Sequence, residues 1–363
     1  MDTITQPVTD ALQIKCSACG GFMEYSPAAE NLKCKYCGNI TELDKTAAKI
    51  EENDFLYWKD RADESTDDDM MESAEIRCRQ CGAATSLPPN VSGGKCAFCG
   101  TPLIMNEATV KRFWQPNYLL PFKITDRQGR TNFANWLGKK WLAPSKLKKS
   151  AVSLDAFKGV YLPFWTYDAN TYTFYRGECG INRRERFRNS KGQMQERTVT
   201  NWHTVSGNVS VAFDDVLVPA SKTLALSIAD RLTNWDLSNC VAFRKEFLAG
   251  FITELYQRDF RESLDDAKKI MDKTIDSTVR RDIGGDKQRI HSKNTEYNDL
   301  KFKHLLLPVW ISAFRFNNKL YQFVVNGRTG QIIGDYPKST AKIVMIVLGI
   351  LAVITVLWWL FSG

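Results

Sequence analysis

Cys16-Ser-Ala-Cys19-Gly20, Cys34-Lys-Tyr-Cys37-Gly38, Cys78-Arg-Gln-Cys81-Gly82 and Cys96-Ala-Phe-Cys99-Gly100 hold eight of the ten cysteines in this chain. Fourteen residues separate Cys19 from Cys34, and fourteen separate Cys81 from Cys96. Cys-x-x-Cys presents two thiolates to one ion from a tight turn, and the glycine after it supplies the positive φ that closes the turn. Two such knuckles on two hairpins make a closed, tetrahedral four-cysteine shell, the structural form of a zinc site. The repeat extends beyond the cysteines. Ile14-Lys15 aligns with Ile76-Arg77, Pro27 with Pro89 and Lys33 with Lys95. The stretch therefore predicts two zinc ribbons, one held by Cys16, Cys19, Cys34 and Cys37, the other by Cys78, Cys81, Cys96 and Cys99. An iron–sulfur cluster uses the same ligands and stays open. A thioredoxin-type redox pair would need a βαβ setting and would not occur four times. A disulfide framework belongs to small secreted domains, and MDTITQPVTD at the N-terminus has no apolar stretch of the secretory kind.

A saturated ion cannot activate water, so its role is to fold pieces too small to build a core. The ribbons then become rigid knobs for protein or nucleic acid. Charge disfavours nucleic acid. Lys15, Lys33 and Lys35 stand against Glu24 and Glu30, and a tetrathiolate zinc centre adds about two negative charges. A phosphate-binding surface carries a denser basic footprint.

At the other end, Ile343–Phe361 reads IVMIVLGILAVITVLWWLF, with no charge. Nineteen residues make a helix of about 28 Å, enough to cross the hydrocarbon core. Lys338 and Lys342 precede it, and Trp358 and Trp359 lie where an aromatic belt would sit. The expectation is a tail-anchored, single-pass protein of the cytoplasmic membrane with its N-terminus and bulk in the cytosol, where thiols stay reduced.

Charge divides between these ends. Residues 1–108 carry ten Lys/Arg and eighteen Asp/Glu; the remainder carries thirty-nine and twenty-three. Asp60–Glu75 holds eight acids and reads as a solvated, disordered spacer, preceded by a short helix over Thr46–Trp58 that offers Ile50, Phe55, Leu56 and Trp58 for docking. Residues 109–150 hold ten bases and only Asp126. On a tethered domain that surface would meet anionic lipid.

The middle of the chain repeats a phrase: Leu120-Pro121-Phe122, Leu162-Pro163-Phe164-Trp165 and Leu307-Pro308-Val309-Trp310. WTYDANTYTFYRG after the second alternates as a half-buried strand pair does. Residues 311–337 read as a three-stranded meander turning at Asn317-Asn318 and Asn326-Gly327. Another hairpin is expected in Val199–Val218, turning at Gly207-Asn208, beside one near Ser190-Lys191-Gly192. The latter is lined by Arg183, Arg184, Arg186 and Arg188, either to grip an acidic partner or to defend an edge. Helices are expected around Phe133, Trp136, Leu137 and Trp141, and from Cys240 to Ile283, stopped by Gly284-Gly285.

Catalytic patterns are not found. His203, His291 and His304 are scattered, and no phosphate loop precedes a helix. Asp214-Asp215 and Asp265-Asp266 read as turn or helix-surface pairs, Cys179 and Cys240 as buried thiols. The predicted fold is α+β: two N-terminal four-cysteine zinc ribbons (12–42 and 76–105) with an acidic linker between (43–75), an antiparallel-sheet-plus-helix cytosolic domain (110–337) and a transmembrane helix (343–361).

With VYLPFW at Val160–Trp165, LAGF at Leu248–Phe251, LLPVW at Leu306–Trp310 and VNGRTGQIIGDYP at Val325–Pro337, the chain resembles bacterial membrane-tethered double zinc-ribbon proteins over most of its length. These are often labelled helicase-like (primosomal protein N′-like) or transcription-factor-B-type; no motor motif supports the first label here. The resemblance implies a membrane-stress setting with phage-shock-protein-A-like and flotillin-like (SPFH) partners. Together these readings lead to a non-enzymatic, membrane-anchored adaptor that recruits cytosolic proteins. The alternative is a membrane-tethered nucleic-acid-binding or transcription-related protein.

Overall fold

The computed structural model describes residues 14–44, 51–61, 70–86, 93–104, 109–145, 147, 157–223, 231–232, 234–316 and 319–362. The fold is α+β. Its first part runs β1 (Met23–Ser26), β2 (Asn31–Cys34), β3 (Ile40–Thr41), β4 (Asn53–Asp54), α1 (Phe55–Lys59), β5 (Met70–Arg77), β6 (Ala84–Ser86), β7 (Gly93–Lys95) and β8 (Pro102–Ile104). Next come β9 (Thr109–Trp114), β10 (Tyr118–Leu119), α2 (Asp126–Gly138), β11 (Lys158–Arg188), β12 (Met194–Pro219), β13 (Val241–Ala242) and β14 (Ile252–Glu254). The last part is α3 (Phe260–Ile283), β15 (Lys287–Phe316), β16 (Lys319–Asn326), β17 (Ile332–Gly334) and α4 (Thr340–Ser362).

Two long antiparallel strands, β11 and β15, form the spine of a twelve-stranded sheet. The 31 residues of β11 extend about 100 Å. At the base, β11 pairs with β14 and β15 pairs with β16 and β10; farther out, β12 replaces β14 beside β11. The repeated Pro-containing phrases meet across this base, Leu162 opposite Leu307 and Tyr161 opposite Pro308. Strand alternation sends Val160, Leu162, Leu305, Leu307 and Val309 to one face and Tyr161, Leu306 and Trp310 to the other. Beyond the base the sheet narrows to an arm of β11, β12 and β15. Along it α3 buries Leu264, Ala267, Met271, Ile275 and Val279 against Trp165, Tyr167, Ala169, Tyr175 and Val209. The three-to-four-residue spacing of that stripe places one helix face on the strands.

Local signals explain the element ends. Thr125 and Gln128 form a reciprocal capping box on α2. Asp259 caps α3 by accepting the Glu262 N–H, and Gly284, at φ 69°, ends it. The hairpin around Ser190-Lys191-Gly192 and the meander of β15, β16 and β17 form as the sequence predicts.

Other expectations are corrected. Helix does not run from Cys240: residues before Phe260 form 3₁₀ turns and β13 and β14, because Gly250 takes φ 90° and Ile252 and Thr253 pair with β11. Val199–Val218 is no hairpin but part of one strand, and WTYDANTYTFYRG is likewise a single strand. Gly207 makes room rather than a turn, since a Cβ there would stand 2.7 Å from the Tyr175 hydroxyl. In the 326–330 loop the positive φ belongs to Gly330, while Asn326 Oδ1 accepts the N–H groups of Arg328 and Thr329. Gly327 is required for close approach, because a Cβ would meet the Pro308 carbonyl at 2.7 Å.

Phe133 and Leu137 are buried on α2, but Trp141 falls beyond the helix and is exposed. The described residues of the 43–75 linker include strand and helix. β4 pairs with Lys301 and Phe302, α1 buries Phe55 while leaving Leu56 exposed, and β5 begins at Met70. The remaining readings at 46–50, 62–69, Pro89 and Asn317-Asn318 lie outside the described residues.

Candidate metal centres

Each knuckle forms as its glycine requires. Gly20, Gly38, Gly82 and Gly100 have φ between 70° and 76°, and each donates its N–H back to the first cysteine of its own knuckle at 2.8–3.1 Å. The eight sequence-predicted cysteines fall into two groups of four, with the sulfurs in each group within 4.8 Å of one another. In the first, Cys16 and Cys37 stand 3.6 Å apart and Cys19 and Cys34 3.5 Å. In the second, Cys78 and Cys99 stand 3.5 Å apart and Cys81 and Cys96 3.7 Å. A tetrahedral ion with metal–sulfur bonds of about 2.3 Å sets sulfurs about 3.8 Å apart. The clusters fit a four-coordinate, thiolate-bound metal with no place left for water.

Hydrogen bonds within each cluster favour the thiolate of some cysteines and the thiol of others: despite the Gly21 N–H, Cys37 and Cys34 push Cys19 up to about 12, and Cys96 and burial push Cys81 up. Burial raises the Cys16 thiol, yet the Ala18 and Cys19 backbone N–H groups outweigh it and bring it down to about 6. The Cys81 thiol beside Cys96 holds Cys96 at about 5. Polar residues after the second knuckle of each ribbon also reach the sulfurs. Asn39 Nδ2 donates to Cys16 Sγ at 3.8 Å, and the Thr101 hydroxyl lies 3.2 Å from Cys99 Sγ.

The two ribbons cover opposite faces of the same strands. In the first, Tyr25 donates its N–H to Ala249 O at 3.0 Å and its hydroxyl to Phe122 O at 3.2 Å, and its ring packs 5.3 Å from Phe247. Gly250 passes beneath Glu24, with 3.0 Å left for a Cβ, so the LAGF segment is the seat of this ribbon. The second ribbon is built into the sheet: β6 pairs with β14 and β5 with β6 and β9. Its Cys78, Cys96, Phe98 and Cys99 join Leu162, Leu305, Leu307, Val309 and Val324 in one apolar cluster. Gln322 Nε2 donates to the Phe98 carbonyl.

Exposure separates the two. Cys19 and Cys37 are exposed, and Tyr36, inside the second knuckle, keeps 76% of its surface in solvent. Phe98, at the equivalent position in the second ribbon, keeps 0%, with Cys78, Cys96 and Cys99 buried around it.

A polar cluster that sequence reading missed lies where the arm leaves the base. The carboxylates of Glu52, Asp168 and Asp214 converge there, and Lys303, nearly buried, reaches Asp215 at 2.6 Å and Glu52 at 3.1 Å. Lys301 adds a 3.3 Å contact to Glu52. The hydrogen bond from Asp168 brings Glu52 down to about 2, whereas burial and Glu52 push Asp168 up to about 7. The lysines tie the residue before β4 to β15. The signal in the sequence is Lys301-x-Lys303 on a strand, with the acids distant along the chain.

The remaining singled-out residues have structural settings. Asp266 pairs with Arg258 at 2.6 Å and Lys269 at 2.8 Å. Arg186 and Arg197 on the arm tip pair across the hairpin with Glu196 and Glu185. His304 is buried on Trp165, His291 stands 3.5 Å from Glu178, and Cys240 is buried. Arg328 of the VNGRTG loop grips Asp236 and donates to Pro121 O at 3.2 Å. Thr340–Phe361 of α4 is long and apolar enough to cross a membrane, and none of its apolar window is buried in the protein.

Over 229 residues the chain is 25% identical to the uncharacterized protein YdjG of Bacillus subtilis (strain 168). The match takes in 63% of this chain and 65% of that protein, so it spans less than two thirds of the relative's length. No family model matches the chain. No solved structure matches it.

Proposed function

We propose that this protein is a non-enzymatic, membrane-anchored adaptor in which two structural zinc ions shape the ribbons and the first ribbon meets a cytosolic partner. One observation carries the reading: of two repeated knuckles, one is sealed into the core and the other stands outward with Tyr36 uncovered. An aromatic side chain held on a metal-stapled turn loses little conformational entropy when it is covered, which suits it to protein contact. Four thiolates at tetrahedral spacing favour zinc, with iron as the competing ion. α4 would hold the assembly at the inner face of the cytoplasmic membrane. By the resemblance noted above, the partners would be phage-shock-protein-A-like or flotillin-like proteins of a membrane-stress response.

The test is recruitment in cells. The full chain should bring such a partner into the membrane fraction, and Tyr36→Ala should reduce that fraction while the chain itself stays membrane-bound. Removal of 340–363 should release both. Undiminished recruitment by the Tyr36→Ala chain would overturn the role of the first ribbon. Metal analysis should give about two zinc ions per chain; iron would overturn the choice of ion.

A further inference from the structure

The first turn of α4 is bonded to the loop that follows α2. Lys342 Nζ donates to the carbonyls of Trp141 and Ala143, each at 2.8 Å, and the Ser339 N–H donates to Leu142 O at 2.8 Å. Loop 139–143 is therefore fixed to the point where the chain passes from the folded domain into the apolar helix. The 22 residues of Thr340–Phe361 rise about 33 Å, close to the hydrocarbon thickness, so the first turn must sit at the headgroup boundary when the helix spans.

That boundary has an asymmetry. At its far end α4 carries Trp358 and Trp359, the residues that anchor a span in the interface. At its near end, Thr340–Met345, it carries no aromatic residue. The aromatic at that level comes from the loop instead: Trp141 is 62% exposed. Lysines surround it. Lys139 and Lys338 are exposed, Lys342 is half-buried, and Lys140 Nζ lies 5.0 Å above the Trp136 ring and 5.7 Å from the Tyr336 ring. Asp335 is the acid near them in sequence, and none occurs from Arg127 to Ser150.

Resting on the anchor reading above, we propose that loop 139–143 is a second membrane contact, with Trp141 at the headgroup–acyl boundary and Lys139, Lys140 and Lys338 on anionic phospholipid headgroups. An indole places its apolar ring and its N–H on the two sides of such a boundary, and lysine stems lie along apolar surface while their amines reach the phosphates. Each base near an anionic surface contributes about 1 kcal/mol. One helix alone leaves a domain free to rotate and tilt. A second contact, bonded to the helix but displaced from its axis, fixes which side of the domain faces the bilayer.

The experiment uses the full chain with Trp141 replaced by the photoreactive benzoylphenylalanine, reconstituted in vesicles of phosphatidylcholine alone or mixed with phosphatidylglycerol. Alkaline carbonate extraction reads the span, and lipid adducts at position 141 read the loop. The expected result is a carbonate-resistant chain with lipid adducts, several-fold more abundant in the mixed vesicles. Lys139→Glu with Lys140→Glu and Lys338→Glu should lower the mixed-vesicle yield to that of phosphatidylcholine. A carbonate-resistant chain without adducts overturns the loop contact and leaves the anchor standing. Equal yields in the two lipids overturn the headgroup assignment. A chain released by carbonate overturns the anchor and the inference with it.

Discussion

Cys34-Lys35-Tyr36-Cys37 and Cys96-Ala97-Phe98-Cys99 are the same knuckle at the same point of a repeat, with opposite fates. Phe98 is enclosed by the sheet, whereas Tyr36 faces solvent. Lysine precedes the tyrosine where alanine precedes the phenylalanine, and the hydroxyl of tyrosine keeps it compatible with water. A metal held by four thiolates would make each turn rigid without help from a core. Once two copies exist, one can be spent on stability and the other left free for contact.

The largest test of this division is removal of the metals one at a time. Cys78→Ser should remove the second ion and unfold the base of the sheet, since structural zinc contributes on the order of 10 kcal/mol to the pieces it folds. Cys19→Ser should remove the first ion and lower the melting temperature by less. Metal analysis and thermal unfolding of the two variants check the order, and an equal loss would break the comparison. Under a chelator the first ion should leave faster, because Cys19 and Cys37 are exposed; timed metal release reads this. Phe98→Ala should then cost about 3–5 kcal/mol by denaturant unfolding, the range for emptying a packed aromatic site.

A pH series sharpens the same measurements. His304 is buried on Trp165, and burial holds its imidazole at about 4, against an ordinary value of 6.5. Below 6.5 the unfolded chain takes up a proton that the folded chain refuses. Wild type should therefore lose stability relative to His304→Phe as pH falls from 6.5 toward 4, by at most about 1.4 kcal/mol per unit. Parallel stability curves for the two proteins would overturn that assignment. The smallest effect belongs to Tyr36→Ala, which should change folding stability by less than about 0.5 kcal/mol. A loss comparable to that of Phe98→Ala would mean that the outward knuckle also serves the core.

Much of this was legible because short patterns determine it. Ligand spacing identified both clusters, their glycines identified the turn conformation, and an uncharged run identified α4. Long-range placement was not legible. Nothing in the repeat says that the ribbons take opposite faces of β11 and β15, because that depends on which residues of distant strands alternate to each side. Gly207-Asn208 carries a local turn signal, yet the Tyr175 hydroxyl requires a residue without a side chain, and tertiary packing prevails. Leu248, Phe251, Ile252 and Leu255 have helical spacing, but Gly250 and the pairing of β14 turn them into a seat for the first ribbon. Tyr36 and Phe98 hold the same place in the repeat, and their opposite burial is set by the surroundings.

The length of β11 has a mechanical consequence. One strand runs from beside β14 at the base to the hairpin tip at Arg188, paired with β15 from Lys158 to Gly180 and with β12 from Phe164 to Arg188. A pull on the tip along the strand loads those rungs in shear, many at once, instead of peeling them singly. A sideways push meets α3 as a splint until Gly284, beyond which only two strands continue. The arm is thus a stiff lever with a compliant end, and displacement at that end is transmitted through one covalent strand to the base that carries the second four-cysteine cluster.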